Sequence, residues 1–126
     1  MRAAEKMPDI RSLSLFDSCV TLGGGPARGV EAVLTGEGAV AVMDRHGIAE
    51  ALVCSGEARL VHPRRRGNDR LLRDIAGNGR LHPAWVLTPP DRPDPAGARS
   101  LVDEMVSAGV RAARLMMGHV PPLRWI

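Results

Sequence analysis

The stretch DPAGARSLVDEMVSAGVRAARLM, residues 94–116, contains a complete helix followed by an apolar strand, and this order decides the fold. Asp94 is a good N-cap, and Pro95 suits the first helical position, where a missing backbone N–H breaks no hydrogen bond. Apolar residues then recur at helical spacing until Gly109, a residue type that commonly closes helices. They are Ala98, Leu101, Val102, Met105 and Val106. A helix that leads straight into an apolar strand favours a β/α architecture with parallel strands.

The same order of elements recurs toward the amino terminus. Four apolar runs, at residues 13–16, 51–54, 84–87 and 112–117, are nearly continuous rather than alternating, which is typical of strands covered on both faces.

Two more helices lie between these runs. One carries apolar residues from Ala39 to Met43 and closes at Gly47, whereas the other is capped by Asn68 and ends near Gly77. Four strands alternating with three helices therefore predict an α/β fold with a parallel sheet.

Composition excludes several classes of protein. The chain has 126 residues, enough for one domain, with 44% hydrophobic and 25% charged residues and a net charge of +3. No apolar run is long enough to cross a bilayer, and the opening lacks the apolar core of a signal peptide, which predicts a cytoplasmic protein with free thiols at Cys19 and Cys54. The arginine run at residues 63–67 has no aromatic neighbours to stack on bases, so a solvated loop is expected and nucleic acid is not.

Two parallel architectures remain, an open doubly wound sheet and part of a (β/α)8 barrel. The glycine-rich residues 23–28 lack the last glycine of a dinucleotide-binding loop and indicate a connection instead.

Three segments then resemble one family. AVMDRHGIAEALV at residues 41–53, GNDRLLRDIAGNGRLHPAWVLTP at 67–89 and LVDEMVSAGVRAARLM at 101–116 are similar, in order and spacing, to the amino-terminal part of the amidohydrolase-related family. The resemblance covers residues 15–125 and implies a metal-dependent hydrolase or decarboxylase on a TIM-type barrel. This chain corresponds to the first half of that barrel, about four β/α units in a single partial domain of residues 1–126, with residues 1–12 as a flexible extension.

The resemblance also implies a metal site at the end of the first strand. The family has Asp-x-His-x-His there, and side chains two apart on a regular strand share a face, so both imidazoles reach one ion. Here the matching residues are Asp17-Ser18-Cys19-Val20-Thr21, in which the aspartate is kept and both histidines are replaced. The candidate ligands for a divalent metal, zinc, are therefore Asp17 and Cys19, with His119 after the fourth strand. His62 and His82 each precede a proline and are expected in turns.

Two functional hypotheses follow. In the first, the chain is an amidohydrolase-like protein with a small-molecule substrate, truncated and with an eroded metal motif, so that its activity is uncertain. In the second, it is a non-catalytic half-barrel that self-associates or pairs with a complementary chain, because four parallel strands expose two edges and an apolar face.

Overall fold

The computed structural model confirms an α/β fold built on one parallel sheet, and it describes residues 7, 9, 12–24, 34–90 and 92–116. The four strands lie in the order β1-β2-β3-β4, and every neighbouring pair is parallel. The sheet curls into a half-barrel, consistent with half of a TIM-type barrel. The elements are β1 (Leu15–Leu22), α1 (Gly36–His46), β2 (Ile48–Ser55), α2 (Gly56–Leu60), α3 (Arg64–Asp74), β3 (Leu81–Leu87), α4 (Pro95–Ser107) and β4 (Ala112–Leu115).

Local capping signals define two of the helices. The Asp94 side chain accepts a hydrogen bond from Gly97 N at the start of α4, and Gly109 follows the helix in the left-handed region at φ 75°. The end of α1 is a Gly47 C-cap at φ 67°, as its sequence predicts. These confirmed boundaries depend only on residues within one turn of the helix end.

The main core lies on the outer face of the sheet, between the strands and the helices. Val53, Leu81 and Leu22 pack there against Met43 of α1 and Leu71 of α3. A second outer cluster, formed by Trp85, Met105 and Val110, joins β3 to α4. The inner face of the curl carries the remaining strand side chains, among them the fully buried Cys54 and Val86.

The arginine run lies in a helix, so the prediction of a solvated loop is wrong. Helix α3 begins at Arg64 directly after Pro63, and Asn68 is a buried residue in its interior rather than its cap. Exposed charges cost little on a helix surface, so the buried face of α3, at Gly67, Asn68 and Leu71, decides its position.

The arginines of α3 meet acidic partners. Arg65 pairs with Glu104 of α4, and Arg66 Nε lies 3.3 Å from Glu57 Oε1. The Arg64 guanidinium donates to Thr88 Oγ1 and to the carbonyl of Ala58. The run therefore ties α3 to its neighbours.

Three further features differ from the sequence expectations. Strand β1 extends to Leu22, beyond its apolar run, and the short helix α2 was not predicted. His82 lies within β3 rather than in a turn. The expected amino-terminal extension lies largely outside the described residues. The longest described helix has 13 residues, and none of the described helices combines the length and apolar composition that a bilayer crossing demands.

Candidate functional site

A bulge in β1 determines which of its polar side chains face the inside of the curl. Asp17 pairs with Ala51 and Val20 pairs with Val53. Between these two pairs β1 advances by three residues and β2 by two, which defines a β-bulge. The Asp17 carboxylate holds the bulge by accepting a 2.9 Å hydrogen bond from Cys19 N. The bulge reverses the alternation of side chains in the rest of the strand.

The reversal separates Asp17 from Thr21. Thr21 pairs with Cys54 on the inner face, whereas Asp17 pairs with Ala51, which packs in the outer core. Ala51 and Cys54 are three residues apart on β2 and therefore face opposite ways. The shared face that a regular strand would offer to the three residues Asp17, Cys19 and Thr21 is not formed.

Polar groups gather on the inner face at the carboxyl ends of β1 and β2. Thr21 Oγ1 lies 3.7 Å from Cys54 Sγ and accepts a 3.3 Å hydrogen bond from Arg59 Nη1. Cys54 is fully buried and Cys19 is exposed, and both are free thiols, as expected. This end of a parallel barrel is where enzymes with this architecture bind their substrates.

Arg114 of β4 crosses the inner face to reach β1. Its Nη2 donates to Ser18 O at 2.9 Å, and its Nη1 lies 3.4 Å from Cys19 Sγ. In a flat sheet, three strand spacings of about 4.8 Å would separate β1 from β4 by about 14 Å, beyond the reach of one side chain. The contact therefore depends on the curl, and it places a cation beside the β1 bulge.

The described residues do not form a zinc site. Among them, no group of three or more histidine, cysteine, aspartate or glutamate side chains is placed to hold a metal ion. Asp17 is turned away from Thr21, and the Arg114 guanidinium, which repels cations, contacts Cys19 Sγ. His119 lies outside the described residues. The predicted zinc ligands therefore stay a prediction.

A second polar group lies at the opposite, amino-terminal end of the inner face. His82 Nε2 is 2.8 Å from Glu50 Oε1, and the Phe16 ring stacks on His82 with the centroids 6.0 Å apart. Barrel enzymes do not place their catalytic groups at this end, so we assign this trio to packing of the inner face.

A cavity of about 660 Å³ lies outside the sheet between α1, α2 and α3. Leu22, Leu60 and Leu71 line it together with Glu57 and Arg70. Gly24 and Leu34 also line it, and they flank residues 25–33, which lie outside the described part of the chain. The cavity walls alone therefore do not define a ligand.

The outer face beside β4 carries exposed apolar side chains. Leu115 pairs with Leu87, which packs on the outer cluster, so Leu115 faces outward as well. It is 58% exposed, and Val102 and Val106 of α4 are 55% and 63% exposed. We call Val102, Val106 and Leu115 the β4-edge patch.

Comparison of the chain with protein-family models, with curated proteins and with solved structures finds no match. The resemblance to the amidohydrolase-related family therefore rests on the three sequence segments alone.

Sequence reasoning missed the bulge, the crossing of Arg114 and the β4-edge patch. The first two depend on pairing between strands far apart in sequence and leave no local signal. The patch did have one: Val102 and Val106 follow Leu101 and Met105 directly, which makes the apolar stripe of α4 wider than one core-facing side needs.

Proposed function

We propose that the chain is an assembly subunit, a half-barrel that acts by binding the β/α units that complete its barrel. The observation that carries this proposal is the β4-edge patch, three large apolar side chains that are each more than half exposed. Beside it, β4 pairs with β3 alone among the described strands, so one side of its backbone has no strand partner there. Exposed apolar surface next to a free strand edge favours binding to another chain.

The other edge supports the same function. Strand β1 pairs only with β2 among the described strands, and Phe16 on its inner face is 54% exposed. Eight parallel strands close a barrel of this type, and the described chain supplies four of them. A partner with four further β/α units would cover both edges and the inner face.

Light scattering of the purified protein tests this function. We expect association that increases from micromolar to submillimolar concentration, since the edges of β1 and β4 that have no partner among the described strands, and the exposed Phe16 on the inner face, promote it in that range. We also expect the melting temperature to rise with protein concentration, because association stabilises the folded state. A monodisperse monomer that melts cooperatively at one temperature throughout this range contradicts the proposal.

A metal-dependent hydrolase or decarboxylase is the second candidate. It is favoured by the polar group of Thr21, Cys54 and Arg59 at the carboxyl end of the inner face, where barrel enzymes bind small-molecule substrates. Metal analysis together with a screen of carboxylate, lactone and amide substrates tests it. Stoichiometric zinc with turnover supports this function, and a metal-free, inactive protein rejects it. A cytoplasmic location fits both functions, and fractionation of expressing cells tests it.

A further inference from the structure

The β4-edge patch forms a surface against which one more helix can pack. One flank of α4 is directed toward α3 by the ion pair between Glu104 and Arg65. At 3.6 residues per turn, position 106 lies about 200° around the helix from position 104. Val106, and Val102 one turn before it, therefore lie on the flank that faces away from α3 and toward the outer side of β4.

The outer face of β4 forms the base of this surface. Ala113 pairs with Trp85 and Leu115 pairs with Leu87. Because Trp85 and Leu87 face the helical layer, Ala113 and Leu115 face outward as well. The α4 flank and the outer face of β4 together form a groove, which we call the β4-edge groove. Each of β1, β2 and β3 is followed by at least one helix of the described chain, and this groove is the corresponding position after β4.

The charges around the groove indicate what binds there. Arg99 lies on the same flank of α4 as Val102 and Val106, and Arg111 directly precedes β4 on its outward-facing side. Both arginines are exposed, and neither forms an ion pair with a described residue. Asp103, which is also exposed, is the one acidic side chain near this flank among the described residues. Two arginines against one aspartate leave the rim with a net positive charge.

A second copy of the chain fits this groove poorly. The apolar faces of its described helices α1, α3 and α4 are already used in its core, through Met43, Leu71 and Met105. Two copies joined patch to patch would bring the rim arginines of one near those of the other, and like charges at an interface are costly.

We propose that the β4-edge groove binds an amphipathic helix of a different chain, with an apolar stripe on the patch and acidic residues opposite Arg99 and Arg111. The inference rests on the proposed assembly function and names the chemistry of the partner's first element. Burial of the apolar stripe supplies the affinity, and the acidic rim sets the orientation and the specificity.

Two synthetic peptides of about 18 residues, five helical turns, serve as probes. Both carry the same leucine stripe, one with glutamate and the other with lysine on its flanks. Fluorescence anisotropy with the full chain measures their binding. We expect saturable binding of the glutamate peptide and at least tenfold weaker binding of the lysine peptide, because the latter brings like charges to the arginine rim.

Substitutions then locate the site. Val106→Asp is expected to weaken the glutamate peptide at least tenfold, whereas Leu60→Asp, at a 68% exposed leucine on α2, is the matched control and leaves binding unchanged. Val102→Asp repeats the test should Val106→Asp alter the circular dichroism melt. The double variant Arg99→Glu with Arg111→Glu is expected to reverse the preference, so that the lysine peptide binds more tightly.

The remaining outcomes overturn the inference. Absence of saturable binding, or equal binding by Val106→Asp, removes the groove as a helix site. A discrete dimer in light scattering that Val106→Asp abolishes assigns the groove to a second copy. Peptide binding that appears only after residues 117–126 are deleted assigns it to the chain's own end.

The two proposals fail separately. Association that persists in Val106→Asp, without peptide binding, rejects the helix and keeps the assembly function. A monomer that binds the peptide rejects association of the isolated chain and keeps the helix.

Discussion

Asn68 satisfies both backbone polar groups of one strand residue with a single side chain. Its Nδ2 donates to Val86 O and its Oδ1 accepts from Val86 N, each at 2.9 Å, while the residue is only 3% exposed. The register of β2 with β3 ends at Ala84, two residues before Val86. The asparagine therefore substitutes for a strand partner on that side of β3.

We predict that Asn68→Ala destabilises the fold by about 3 kcal/mol, because it leaves a buried N–H and a buried carbonyl without partners, at about 1–3 kcal/mol each. Urea denaturation monitored by circular dichroism measures the change. Asp69→Ala, at the next and half-exposed position, is the control and is expected to change stability by less than about 0.5 kcal/mol. A loss of stability for Asn68→Ala as small as that of the control contradicts the role of the Asn68 side chain as a substitute for a strand partner.

Cys19 is predicted to behave as an ordinary exposed residue. Its sulfur contacts the Arg114 guanidinium at 3.4 Å, and the described residues around it offer no ligand set for zinc. Cys19→Ser is therefore expected to change the free energy of unfolding by at most about 1 kcal/mol. Thermal melts of the wild type and the variant, with and without zinc, check this. A zinc-dependent rise in melting temperature that disappears in Cys19→Ser contradicts it, since metal binding energy becomes folding energy.

At the scale of elements, α2 and α3 pack together through a glycine. A Cβ built on Gly67 would lie 2.4 Å from the backbone nitrogen of Ala58, and Ala58 itself is fully buried. Helix α2 is short, and its contact with α3 depends on this close approach. The glycine in the arginine-rich stretch therefore has a packing role that its turn-like sequence context concealed.

Gly67→Ala is predicted to lower the free energy of unfolding by about 1–3 kcal/mol through overpacking, although alanine favours a helix over glycine by about 1 kcal/mol. Gly79→Ala is the matched control, because its added Cβ meets no atom within 4 Å. Thermal melts of both variants decide the point. A Gly67→Ala protein more stable than wild type would show that α2 moves aside without cost.

At the scale of the whole molecule, Arg114 connects the two edge strands of the described sheet, β1 and β4. It hydrogen-bonds to Ser18 O while β2 and β3 lie between the two strands. We predict that Arg114→Met destabilises the protein by about 1.5–3 kcal/mol, the contribution of a hydrogen bond to a charged group. Hydrogen exchange at residues 18–20 is expected to become faster, since the bulge loses its contact with β4.

Arg73→Met, at an exposed position of α3, is the control for that substitution and is expected to change neither quantity. Unchanged exchange in the bulge of Arg114→Met would show that β2 alone holds β1 in place.

The sequence by itself determined the alternation of strands and helices, the parallel sheet, and the ends of α1 and α4. Gly47, Asp94 and Gly109 act on backbone groups within a turn of their own positions, so their effect is readable without knowledge of the fold. The apolar runs likewise predicted the four strands. Those of β2 and β3 are largely buried, whereas those of β1 and β4 contain the exposed side chains of Phe16 and Leu115.

Only the tertiary structure decided which polar residues meet. The β1 bulge turns Thr21 inward and Asp17 outward, and this depends on the register against β2, some 34 residues away in sequence. Asn68 lies inside α3 rather than at its N-cap, and there its side-chain amide hydrogen-bonds to the backbone of Val86, 18 residues later. Such contacts are set by pairing and packing between distant segments, and their free energies exceed the local preferences on which sequence patterns depend.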